Sequence, residues 1–311
     1  MLAPLTLCLW IAAAPMDVPA TQPSTPARPV TFGVVADVQY ADRDTQGTRR
    51  FREAIGKLER AMGAFNRARP AFVLQLGDLF DTTPDDPKAT RQNLADVAAA
   101  LPRLKVPWRH VVGNHCLDAG RAAFDEAVPL DRWHYSFDVP ANGGGWRFIV
   151  LDGNAVSTRD LPEDDPRHVK AREIMADDED HKPWNGALGD AQHAWLAQQL
   201  EAADADGVPV IIACHFPATP QATGGDPTIT LWDAEAVLER IARHDGVKAY
   251  FAGHHHGGGY AEVDGVHHVT FPAICDAPQD GNAYALVTLH ADRIEIDGTG
   301  DVPDRVLAIT P

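Results

Sequence analysis

The chain has 311 residues, 45% of them apolar, enough to bury a substantial core. Acidic residues outnumber basic ones by 44 to 27, a formal net charge of −17, so the far field repels polyanions and offers no basic stripe for nucleic acid. Small phosphate esters stay admissible, because divalent cations can dominate the potential inside a cleft.

Residues 1–14 are apolar and are followed by Pro, Thr and Ser residues up to Pro29. This pattern predicts a secretory signal and a loose tether over 1–29, hence a periplasmic or secreted protein, or a cytoplasmic one if the first Met is a mis-called start. The apolar stretch is too short for a stable membrane span. Without Cys8, the three remaining cysteines, Cys116, Cys214 and Cys275, form no disulfide framework and read as small buried hydrophobes.

From residue 30 onward the periodicity predicts a strand before Asp37 and an amphipathic helix over 49–69, where Phe51, Ile55, Leu58, Met62 and Phe65 repeat at helical spacing. A strand over 72–77, a loop over 81–88, a helix over 90–101 and a strand over 108–113 come next. Further strands are expected at 147–151, 208–214, 249–252, 266–271, 284–289 and 293–296. Helices are expected at 190–203, with Asp190 as N-cap, and at 234–243 after the cap Asp233. The polar stretch 158–189 shows no sustained period and reads as a long loop near substrate. Alternating strands and helices argue for α/β layers.

Seven side chains able to bind metal follow these apolar runs: Asp37, Gln39, Asp78, Asn114, His215, His254 and His256. A sheet can bring such strand ends to one rim. Because they span most of the chain, residues 30–311 are expected to form one domain. Oxygen and imidazole donors without thiolate suit Mn²⁺, with Fe or Zn²⁺ as alternatives. Asp78 is expected to bridge two ions, with Asp37, Gln39 and His256 completing one and Asn114, His215 and His254 the other. A hydroxide shared between the ions is the expected nucleophile. His115, next to Asn114, is expected to protonate the leaving group, oriented by Asp81. Gly257 opens a run of three glycines that either turns tightly or lets a phosphate approach.

The strings Asp37-Val-Gln39, Gly77-Asp78-Leu-Phe-Asp81, Gly113-Asn114-His115, His215-Phe-Pro217 and Gly253-His254-His-His256 resemble the calcineurin-like metallophosphoesterase superfamily. Gln39, in place of a histidine, is similar to the manganese-dependent ADP-ribose/CDP-alcohol diphosphatase branch. Tyr135-Ser-Phe137, Trp184-Asn185-Gly-Ala-Leu-Gly189, His256-Gly-Gly-Gly-Tyr260 and Val302-Pro-Asp-Arg305 support that branch. The resemblance implies a four-layer α/β/β/α sandwich with mixed sheets and helices on the outer faces. It also implies two Mn²⁺ ions, those seven ligands, His115 as catalytic histidine, and hydrolysis of the diphosphate bond in small nucleoside diphosphate conjugates. Trp184, Asn185 and the loop 274–282 with Asp276 fall where that branch borders its substrate. Cys116 and His255 stand where the branch has acidic residues. A monomer is expected. The rivals are a broader phosphodiesterase or phosphomonoesterase on the same site, and a binding module that kept the fold but lost catalysis. The latter predicts missing ligands, and none is missing.

Overall fold

Residues 148–151, 211–214 and 249–252 are apolar without a break, as strands buried on both faces require. In the structure, a computed structural model that describes residues 29–128, 130–140 and 145–309, alternate side chains of these runs enter two different cores. Phe148, Val150, Ile211, Ala213, Ala249 and Phe251 join one, and Ile149, Leu151, Ile212, Cys214 and Tyr250 the other. The predicted export segment lies outside the described residues, except for Pro29.

In chain order the elements are β1 (Val30–Val35), α1 (Phe51–Ala68), β2 (Val73–Gln75), α2 (Pro87–Ala100), β3 (Trp108–His110), α3 (Arg121–Ala127), β4 (Tyr135–Val139), β5 (Trp146–Val150), α4 (Pro166–Asp177), α5 (Gly189–Asp206), β6 (Val210–Ala213) and α6 (Ala234–Ile241). Then come β7 (Val247–Ala252), β8 (Gly259–Val263), β9 (Val266–Thr270), β10 (Ala283–Leu289), β11 (Arg293–Gly300) and β12 (Arg305–Ala308). They form two six-stranded mixed sheets, ordered β12-β11-β10-β1-β2-β3 and β4-β5-β6-β7-β9-β8.

Between the sheets Phe32 stacks on Phe72 at 5.1 Å and meets Phe148 edge-on at 5.2 Å. Each large apolar side chain so buried contributes about 1.5–3 kcal/mol. On the outer face of the first sheet α1 buries Ala54, Leu58, Ala61, Met62 and Phe65. On the outer face of the second, α5 and α6 bring Leu196, Leu200, Val237 and Ile241 into the other core. This is the expected α/β/β/α sandwich. No helix among the described residues is long and apolar enough to cross a membrane.

The departures from expectation are local. The stretch predicted as a loop over 158–189 contains α4, started by the Asp165 side chain, which accepts from Arg167 N, and by Pro166. It buries only Ala171, so its sequence carries no apolar period. Asp190 lies inside the first turn of α5 and does not cap it. The carboxylate that holds that helix start is Asp233, whose Oδ2 accepts from Leu188 N at 2.9 Å and Gly189 N at 3.3 Å. Asp233 thus serves α5, and no side-chain cap bond joins it to α6.

β1, β2 and β3 run parallel, as do β5, β6, β7 and β9. Their carboxyl ends therefore share a rim, and the segments just beyond β1, β2, β3, β6 and β7 carry the seven ligand-type residues.

Candidate metal centre

The strand ends do not simply stop at this rim. They turn sharply and are pinned to one another by backbone bonds: Asp37 N to Gly77 O at 3.2 Å, Gln39 N to Asp78 O at 2.9 Å, and Gly253 N to His215 O at 3.0 Å. Four of the seven candidates hold left-handed backbone, with φ of 48° at Asp37, 42° at Gln39, 55° at Asp78 and 65° at His254. Such conformations cost on the order of 1–3 kcal/mol each and persist where surrounding structure over-determines them, typically at functional sites. Two glycines make room for the crowding. A Cβ on Gly113 would lie 2.2 Å from Asp78 Oδ1, and one on Gly77, itself at φ 100°, would lie 2.3 Å from His215 Nδ1.

All seven candidates come together. Asp78 is fully buried and central: its Oδ2 lies 3.2 Å from Gln39 Nε2 and 3.3 Å from His215 Nε2, while its Oδ1 accepts from His115 N at 2.8 Å. Donor atoms of Asp78, His215 and His254 lie within 4.8 Å of one another. Asn114 Oδ1 faces His215 Nε2 at 3.0 Å. On the other flank His256 Nε2 is 3.8 Å from Asp37 Oδ1, and the Asp37 carboxylate accepts from His254 N at 3.0 Å.

Each histidine has its far nitrogen held, so the near one is presented to the cluster. His215 Nδ1 donates to Leu76 O at 2.8 Å, His254 Nε2 to Asn185 Oδ1 at 2.9 Å, and His256 Nδ1 to Asp276 Oδ1 at 3.1 Å. Asn185 is fixed in turn by its Nδ2, which donates to Thr228 O at 2.8 Å. The expectation that Asn185 faces substrate is therefore corrected. It is 1% exposed and its amide is spent on orienting His254. Asp276 is likewise engaged, by His256 and by Thr48 Oγ1 at 2.8 Å, although part of its side chain stays open. Trp184 is 40% exposed, with its indole N–H on Thr228 O. Gly257 borders a cavity of about 210 Å³ shared with Thr270 and Arg305. The neighbours Gly258 and Gly259 are explained by packing, since a Cβ there would strike Pro272 and Ala222 O.

The electrostatics fit divalent cations. Burial pushes the Asp37 carboxyl upward despite His215 and His256 nearby. Burial acts the same way on Asp78, but His215 and His115 outweigh it and keep Asp78 well below the usual carboxylate range. Burial pulls His215 down, yet Asp78 and Asp37 raise it to about 9, whereas burial and His215 push His254 well below its ordinary value. Asn114 Oδ1 and a neutral His215 Nε2 would confront lone pair with lone pair at 3.0 Å. With the Asn114 oxygen in that position, a proton or a cation between them removes the conflict. The set of carboxylates, amide oxygens and imidazoles suits Mn²⁺, Fe or Zn²⁺.

His115 stands beside this cluster with Nδ1 turned toward carboxylates and Nε2 without a partner among the described residues. Burial lowers its pKa, but Asp78, the Asp118 hydrogen bond and Asp81 together leave it raised. Asp81, the expected orienting residue, lies 3.6 Å from Nδ1, and Asp118 lies closer at 2.7 Å. Nothing in the sequence pattern singled out Asp118, although its i+3 spacing from His115 was a usable signal. Lys57 was also missed. It sits fully buried within the apolar stripe of α1 and donates to Ile274 O, Cys275 O and Ala277 O, clamping the loop that carries Asp276.

Comparison with known proteins gives a consistent picture. A family model described as calcineurin-like phosphoesterase matches residues 30–258. The manganese-dependent ADP-ribose/CDP-alcohol diphosphatases of Bos taurus and Homo sapiens are each 30% identical over an alignment 321 positions long. The alignments span 89% of this chain and 93% and 92% of theirs. The crystal structure of a dimetal phosphatase from Danio rerio superimposes with a TM-score of 0.80 at 28% identity, covering 90% of this chain and 99% of that one.

Proposed function

This chain belongs to the calcineurin-like phosphoesterase family, and from that premise we propose that it hydrolyses the diphosphate bond of small nucleoside diphosphate conjugates. ADP-ribose and CDP-alcohols are the substrates of choice. One observation carries the reading: seven side chains able to bind metal, Asp78 at their centre, gather at one rim in a chain similar, over about nine-tenths of its length, to proteins named for that activity.

Asp37, Gln39 and His256 would hold one divalent cation, Asn114, His215 and His254 the other, with Asp78 shared between them. When bound, such cations polarise phosphoryl oxygens and lower the pKa of water. The protein's own contribution is positional. Asn185, Asp276 and the Leu76 carbonyl fix the three imidazoles. His115 directs Nε2 outward beside Asp78, where it can give a proton to a departing phosphate oxygen. The half-open Trp184 ring offers an apolar face at the rim for a base or alcohol. With no basic stripe, long polyanions gain nothing from the surface.

The test is a substrate panel with and without added Mn²⁺: ADP-ribose, CDP-choline, a cyclic nucleotide and p-nitrophenyl phosphate. The expected result is Mn²⁺-dependent release of a nucleoside monophosphate, with kcat/KM highest for the diphosphates. A higher kcat/KM for p-nitrophenyl phosphate or the cyclic nucleotide would overturn the reading in favour of a broader phosphoesterase.

A further inference from the structure

We propose that Asp118, braced by Arg159, is the positioning residue that aims His115 at the leaving group, a role that residue spacing first gave to Asp81. The proposal rests on the diphosphatase reading above for the identity of the reaction, though not for the geometry.

The argument begins with local structure. His115 opens a single turn of 3-10 helix, His115–Leu117, and Asp118 N donates back to His115 O at 3.1 Å. Three residues complete a turn of that helix, so side chains at i and i+3 eclipse. Asp118 therefore lies directly against the imidazole, with Oδ2 2.7 Å from Nδ1. Cys116, next along the chain, points into the core and is wholly buried, so a side chain at that position has no path to the ring.

Asp118 and Asp81 differ in what else they hold. Asp81 Oδ1 already accepts from Thr82 N at 2.6 Å, from Thr82 Oγ1 at 3.2 Å and from Arg43 Nη2 at 3.1 Å, and it is 3.6 Å from the ring. Asp118 divides its oxygens cleanly: Oδ2 takes His115, and Oδ1 takes Arg159 Nη1 at 2.6 Å. A carboxylate held at both oxygens cannot rotate away, so the ring it grips is fixed through Nδ1 and leaves Nε2 as its free nitrogen. The guanidiniums of Arg43 and Arg159 already compensate this pair of carboxylates, which argues against a third cation among Asp81, His115 and Asp118. The arrangement makes Asp118 an orienting group that acts through His115.

The experiment compares Asp118→Asn, Asp81→Asn, Arg159→Gln and His115→Gln in the Mn²⁺-loaded protein on ADP-ribose, and in the metal-free protein by proton NMR of hydrogen-bonded imidazole N–H groups. His115→Gln identifies the His115 Nδ1–H signal by its loss. Asp118→Asn is expected to abolish that signal and lower kcat about 10–100-fold, the range for a partner that orients a functional imidazole, with KM within about twofold and metal content unchanged. Asp81→Asn should keep the signal and lower kcat less, and Arg159→Gln should fall between. In a His115→Gln background, Asp118→Asn should change kcat by less than twofold, because its effect passes through that ring.

Retention of both signal and kcat in Asp118→Asn, or their loss in Asp81→Asn alone, would overturn the proposal. A wild type inactive on every diphosphate would instead remove the substrate reading, and loss of the Nδ1–H signal in Asp118→Asn would still support the positioning role.

Discussion

Two histidine clusters lie close together in this chain, His254-His255-His256 and His267-His268, and the fold uses them in opposite ways. The first follows the end of β7, where left-handed backbone at His254 turns two rings toward buried carboxylates and each ring has one nitrogen anchored. The second lies within β9, where consecutive side chains must point to opposite faces. His267 satisfies both nitrogens, through Tyr260 OH at 3.1 Å and Ala308 O at 2.8 Å. His268 stacks on Tyr250 at 5.5 Å with neither nitrogen partnered. Position relative to the strand end, more than residue type, separates a ligand from a core side chain.

The largest effect expected on the rim is that of Asp78→Asn. It removes the charge at the centre of the cluster, so Mn²⁺ binding and turnover should vanish together, beyond the ~10–100-fold change typical of groups that only orient a ligand. Thermal melts make the check direct. Mn²⁺ at a hundred times its Kd should stabilise the wild type by about 2.7 kcal/mol for each site filled, and should leave the Asp78→Asn melting temperature unmoved. A variant that still gains stability from Mn²⁺ would show that Asp78 is not the shared ligand.

The next test makes the same chemical deletion at each cluster. Asn185→Ala takes the partner from His254, and metal affinity or turnover should fall about 10–100-fold. Tyr260→Phe takes a partner from His267, and only about 0.5–1.5 kcal/mol of stability should go with it, with kcat/KM held within twofold. If Tyr260→Phe weakens Mn²⁺ binding as much as Asn185→Ala does, the distinction between the two clusters fails.

These roles differ in how far the sequence exposes them. The ligands were legible because each ends an apolar run, and parallel strands bring such ends to one rim. The core on the outer face of the first sheet was legible for a similar reason, since α1 repeats its apolar residues at helical spacing. The helix α4 was not, because it buries one small side chain and leaves no period. The edge strand β12, with Val306 70% exposed, lacked an alternation strong enough to read. Asn185 and Asp118 were hidden for a different reason: each matters through a partner placed by tertiary structure, and an amide or carboxylate in a polar stretch looks the same whether it meets solvent, substrate or an imidazole. The Asp233 carboxylate shows the same limit, since it lies next to one helix and holds the start of another.

The smallest effect sharpens the contrast from the core side. Burial, with a minor contribution from His267, lowers the His268 pKa to about 4 from an ordinary 6.5. Above pH 6.5 the ring is neutral in both folded and unfolded chains and adds no pH dependence. Between pH 6.5 and 4 the unfolded chain takes up the proton and the folded one does not, so stability falls as pH falls, by about 2 kcal/mol at pH 5. His110, also lowered to about 4 by burial, adds a like amount in the same direction, while His215, raised to about 9, acts in the opposite one. His268→Phe keeps a ring against Tyr250 and deletes two unpartnered nitrogens, each of which costs about 1–3 kcal/mol when buried. The variant should match or exceed the wild type at pH 7.5 and gain further advantage at pH 5, read as a difference in melting temperature that widens on acidification. A constant difference across that range would mean that His268 is protonated or paired in the folded chain, and the two clusters would then differ less than their geometry says.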